Sequence, residues 1–162
     1  MVHHKLVLED DFKETYSLLA IHCSEEAYKV AYLINQFVGL KLQRNNRDLE
    51  FSNNGLEVSF PRFIYDNEEQ YTTYDLVANK CRSVVANVHS SGGLFTENAS
   101  ETVTTHLIPE FKKVDYFLKI ISDFELIPLR KLISDINEIK QVISAYPVDV
   151  DSVKSKRNLI FD

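Results

Sequence analysis

The chain of 162 residues has the length of one domain and is long enough to bury a core without disulfide or metal staples. Its hydrophobic fraction of 44% and charged fraction of 26% exclude intrinsic disorder, and a net charge of -6 argues against broad binding to nucleic acid or to an anionic membrane surface. Four glycines, at positions 39, 55, 92 and 93, make neither a GxGxxG nor a Walker-type phosphate loop.

In chain order, the first apolar run, "YSLLAIH" from Tyr16 to His22, has the length of a strand. Ser24 is a suitable helix N-cap, with Glu25 and Glu26 at the positive helix end. Ala27, Val30, Ala31, Ile34, Phe37 and Val38 then recur at helical spacing, and Gly39 is a natural stop. "LKLQ" alternates as a strand. "DLEFS" and "LEVSF" flank Asn53-Asn54-Gly55, the signature of a tight hairpin. Further strands are expected at 62–66, 71–78 and 82–88. The Gly-, Ser- and Asn-rich segment 89–101 reads as a mobile loop. Residues 114–121 are strand-like, Pro128 suits a first helical turn, and Leu129, Leu132, Ile133, Ile136 and Ile139 or Lys140 trace a helix face. "VISAYPV" returns as a strand that ends at Pro147, and the tail 149–162 is expected to dock through Leu159, Ile160 and Phe161.

Two helices and seven or eight strands define a single α+β domain over residues 1–162. Its sheet is largely antiparallel, with both helices on one face and two strand-helix-strand units flanking a central meander. No apolar run is long enough to span a membrane, and Cys23 and Cys81 read as reduced thiols, so a cytoplasmic protein is expected. No metal or cofactor is implied, since two isolated cysteines lack zinc-ligand spacing.

His22 and Cys23 stand at a strand-to-helix junction, where a helix N-terminus can activate a thiol, yet adjacent strand residues point to opposite faces and cannot form a dyad. A packing role for His22 is preferred. On a strand beginning at Val114, Asp115 and Lys119 share a face, and with Glu110, Lys112 and Lys113 in the preceding turn they would line a polar site for an anionic or zwitterionic ligand. The alternative is a structural turn with surface ion pairs, which residue chemistry alone favours.

Ile108-Pro109-Glu110, followed after three residues by Val114-Asp115-Tyr116, resembles the signature of the IPExxxVDY family, small proteins of Bacteroidetes-type bacteria without an assigned activity. Residues 20–35, "DLVANK" at 75–80 and "KSKRNLIF" at 154–161 are similar to members of that family as well. The resemblance marks Ile108, Pro109, Glu110, Val114, Asp115 and Tyr116 as identifying residues without naming a reaction.

Three functions remain in play. The first is a non-catalytic accessory or regulatory protein that binds a protein partner or small ligand near Glu110, Asp115, Tyr116 and Lys119, a role compatible with a homodimer. The second is an enzyme using Glu110, Asp115, Lys119 or Lys80 as acid, base or electrostatic stabiliser, which requires those groups to converge in one concavity. The third is RNA association through Lys112, Lys113, Lys154, Lys156 and Arg157, which the overall charge disfavours.

Overall fold

The computed structural model describes residues 15–53, 55–85, 101–123 and 127–161. The chain forms β1 (Ser17–Cys23), α1 (Ala27–Val38), β2 (Gln43–Arg44), β3 (Leu49–Asn53), β4 (Leu56–Phe60), β5 (Arg62–Asn67), β6 (Thr72–Ala78), β7 (Lys80–Val85), β8 (Glu101–His106), β9 (Tyr116–Ser122), α2 (Leu129–Asn137) and β10 (Val142–Val148). Short 3₁₀ turns follow β8 and β10.

Six strands make one antiparallel sheet in the order β10-β1-β9-β6-β5-β2. Strand β9 sits between β1 and β6, and β1 sits between β9 and β10. The two strand-helix-strand units are therefore interleaved, as in the split units of ferredoxin-like domains. The α+β class and the largely antiparallel sheet agree with the sequence reading.

Strand alternation sends Leu19, Ile21, Leu76, Leu118 and Ile120 to the helix face, where they meet Val30, Ala31 and Ile34 of α1 and Leu132 and Ile136 of α2. The opposite face is also buried. Leu18, Ala20, Val77 and Phe117 pack there under Val58 and Phe60 of the β3-β4 hairpin, Leu107 and Ile108, and Val153 and Leu159 of the C-terminal segment. A sheet covered on both sides carries apolar residues at successive positions, which explains the unbroken run in β1.

Several local expectations need correction. Glu26, not Ser24, is the N-cap of α1, and its carbonyl accepts the Lys29 and Val30 N–H groups. The intervening residues are held from elsewhere: Cys23 N–H by Asp115 and Glu25 C=O by Tyr116. Phe37 is 55% exposed and lies off the packed face. Pro128 precedes the first turn of α2 rather than opening it, and Pro147 lies inside β10 opposite Leu19. Strand β8 was not anticipated from the sequence, and β2 is shorter than "LKLQ" suggests. The expected loop 89–101 lies outside the described residues except for Glu101, which opens β8.

Candidate functional site

The stretch after β8 is built around one side chain that was not among the candidate site residues. Asn79, fully buried between β6 and β7, donates from Nδ2 to the carbonyls of Phe111 and Val114, both at 2.9 Å, and accepts from Ile108 N–H at 2.8 Å. Its backbone N–H donates to Asp115 C=O and its own C=O accepts from Leu107 N–H. Pro109 supplies the fixed φ that starts the 3₁₀ turn Pro109–Phe111, while Ile108 and Val114 on either side are buried.

Asp115 stands just before β9. Its Oδ2 accepts Cys23 N–H at 2.9 Å, and its Oδ1 accepts Lys80 Nζ at 2.7 Å. The Tyr116 hydroxyl donates to Glu25 C=O, and burial pushes its pKa far above the ordinary tyrosine value, which keeps it a neutral donor. Glu110 faces the other way and receives Ser155 N–H at 2.7 Å and Ser155 Oγ–H at 2.9 Å. Partial burial acts to raise the Glu110 carboxyl, but these hydrogen bonds outweigh it and the net shift is downward.

Lys119 departs from the expected arrangement. It does not share a polar lining with Asp115, because Asp115 precedes the strand. Lys119 is buried on the sheet face beneath the C-terminal segment, where Nζ donates to Leu159 C=O at 2.9 Å and lies over the rings of Tyr16 and Phe161. Asp75 sits opposite it in the register and takes a two-bond fork from Arg62, each bond 2.8 Å. Burial pushes the Asp75 carboxyl up, against the pull of Arg62 and Lys119.

The remaining candidates are spread out. Lys112 and Lys113 are exposed in the turn. Ser155, bound to Glu110, brings Lys154, Lys156 and Arg157 to the same end, but the Glu110 and Asp151 carboxylates interleave with them and Lys156 pairs with Asp151 at 3.3 Å. The His22 ring stacks on Tyr146, with Nε2 2.9 Å from the hydroxyl. Cys23 is buried four residues before α1, its thiol donates to Gln141 C=O, and burial raises its pKa, so activation by the helix N-terminus is not realised.

What the structure does bring together is a cleft of about 610 Å³ between the start of α1, β5 and β7, walled by Tyr28, Arg44, Phe63, Lys80 and Tyr116. The Arg44 guanidinium lies 5.5 Å from the Phe63 ring centre and pairs with Asp48. Lys80 and Tyr116 are the two sequence candidates on its wall; Arg44 and Phe63 carried no motif. His106, opposite Lys80 in the β7-β8 ladder, is another group the sequence did not mark. Burial, with Lys80 and Lys112 nearby, lowers its pKa.

Glu110, Asp115, Lys119 and Lys80 therefore do not converge in one concavity. Glu110 holds the tail, Lys119 lies inside, and Asp115 is engaged by Lys80 and Cys23. Among the described residues no three His, Cys, Asp or Glu side chains are grouped to hold a metal ion, and no helix is long and apolar enough to cross a membrane. Comparison of the chain with protein-family models, with curated proteins and with solved structures finds no match.

Proposed function

We propose that this is a cytoplasmic, non-catalytic accessory or regulatory protein of the IPExxxVDY family, and that its ligand or partner segment enters the cleft beside α1. The observation that carries this reading is the cleft wall itself, where Arg44 and Lys80, paired with Asp48 and Asp115, stand with Glu26 beside the rings of Phe63 and Tyr28. Tyr supplies rigid contact area and Arg charge-assisted hydrogen bonds, residue types enriched where proteins bind partners. Support for the family comes from the way the resembling segments meet: Cys23 and Glu25 from the first, Asn79 and Lys80 from the second, and Ser155 from the last all bond to residues 108–116. Both thiols are free, in keeping with a reducing compartment.

The test is retention of bound molecules from host lysate, with and without ribonuclease, read by mass spectrometry on the wild type and on a Tyr28→Ala/Arg44→Ala variant. Neither side chain is buried, so the variant should fold. The expected result is a stoichiometric protein or small molecule whose retention falls at least about tenfold in the variant, a loss of roughly 1.4 kcal/mol. Equal retention by the variant would remove the cleft as the site. Loss on ribonuclease treatment would replace this reading with RNA association through the lysines near Glu110.

A further inference from the structure

The charges of the cleft beside α1 are unevenly compensated. Arg44 is engaged by Asp48 and Lys80 by Asp115, so both cations already have a carboxylate. Glu26, the N-cap of α1, lines the same cleft, and among the described residues its side chain has no hydrogen-bond or ion-pair partner. With these partners included, three carboxylates stand against two cations, and the Glu25-Lys29 pair on the next turn is balanced. Burial is the main cause of the raised Tyr116 pKa, and the Asp115, Glu26 and Glu25 carboxylates act in the same direction, as a negative field on that wall would.

The rest of the wall is largely apolar, with Pro61 and the rings of Tyr28, Phe63 and Tyr116. Ring faces attract a cation, and the Arg44 guanidinium already uses Phe63 in this way, 5.5 Å from the ring centre. A carboxylate without a partner, set beside rings, suits a cation on an apolar stem. A guanidinium fits better than an ammonium, because it is planar and weakly hydrated and can stack on a ring while it forks onto a carboxylate. Tyr28 and Tyr32 are 63% and 57% exposed on adjacent turns along one side of α1, so aromatic surface continues outside the cleft, further than one small ligand would cover.

We propose that the cleft takes the arginine side chain of a partner protein segment, whose guanidinium meets Glu26 among the rings while its neighbouring residues lie along Tyr28 and Tyr32. The proposal rests on the reading of the cleft as the binding site and adds the chemistry of what enters it. The chain's net charge of -6 works in the same direction, since it steers basic segments toward the protein and anionic ones away.

The experiment follows backbone amide signals of the isotope-labelled protein by NMR during titration with a capped Ala-Leu-Arg-Leu-Ala peptide, and with peptides in which citrulline or glutamate replaces the arginine. The arginine peptide is expected to shift signals of the first turn of α1 and of β5 and β7, and to bind at least about fivefold more tightly than the neutral citrulline peptide. Glu26→Gln changes an exposed side chain, should keep the fold, and should bring the two peptides to within about twofold of each other. Tyr28→Ala should weaken both. Equal binding of the arginine and citrulline peptides, tighter binding of the glutamate peptide, or no shift at the cleft with any of them would each overturn the proposal. So would n-butylguanidinium binding as tightly as the arginine peptide, which would make the ligand a free small cation. Capture from host lysate separates the proposal from the reading beneath it: a partner lost by Tyr28→Ala/Arg44→Ala but fully retained by Glu26→Gln would leave the cleft as the site and overturn the arginine.

Discussion

Between β6 and β7 the side chain of Asn79 uses its donor twice and its acceptor once, all on backbone groups that no strand or helix satisfies. A buried amide in that setting fixes a path rather than adding a contact, since each group it leaves would be buried without a partner, at about 1 to 3 kcal/mol apiece. Asn79→Ala is therefore expected to lose at least about 3 kcal/mol in denaturant unfolding, and Asn79→Asp, which keeps only the acceptor, should recover little of it. A loss below about 1 kcal/mol would mean that water or neighbouring groups replace the amide, and that the turn does not depend on it. Asp115 and Tyr116 work in the same manner, Asp115 spending its carboxylate on Cys23 N–H and Lys80 and Tyr116 its hydroxyl on Glu25 C=O. Their residue types were visible in the sequence. Their role was not, because a carboxylate that holds a distant N–H and one that receives a ligand look alike until the chain is folded.

The segment after β10 is the element whose attachment is most easily tested. Val153 and Leu159 enter the second core, Asn158 donates to Leu107 C=O, Ser155 is held by Glu110, and Phe161 lies over the cations of Arg62 and Lys119. Leu159 is fully buried, whereas Ile160 beside it is 61% exposed. Leu159→Ala should cost about 2 to 5 kcal/mol and Ile160→Ala less than about 0.5 kcal/mol, measured as shifts in denaturation midpoint at constant slope. Similar effects at both positions would mean that the segment is not seated as described. The sequence made the apolar end of this tail visible but not which residue of Leu159-Ile160-Phe161 turns outward, since a 3₁₀ turn follows neither the helix nor the strand period. The helices and the β3-β4 hairpin were legible because periodicity and Asn-Gly turn chemistry are local. Strand β8 and the start of β9 were not. "ETVTTH" has little apolar alternation to report, and Asp115 stands just before its strand, its backbone bonded to Asn79 and Ile21.

Taken as a whole molecule, the sheet is sealed on both faces, and three charges are enclosed with it. Arg62 of β5, Asp75 of β6 and Lys119 of β9 lie across neighbouring strands on the face covered by the tail, all nearly inaccessible to water. Burial pushes Asp75 toward its neutral form and outweighs the opposing pull of the neighbouring cations. Such a cluster adds little net stability but penalises any arrangement that separates its members, which suits a chain whose tail must settle over one particular part of the sheet. Asp75→Asn removes the negative charge between two buried cations, and a loss of about 3 to 5 kcal/mol is expected. The combined Arg62→Met/Asp75→Leu/Lys119→Met protein removes all three charges together and should be far closer to the wild type, within about 2 kcal/mol, although Leu159 C=O then lacks the Lys119 donor. Limited proteolysis separates the two consequences. If the charges position the tail, the triple variant keeps a resistant body but is cut after residue 152 faster than the wild type. Equal cutting rates would show that the apolar seating of Val153 and Leu159 places the tail without help from the charges beneath it.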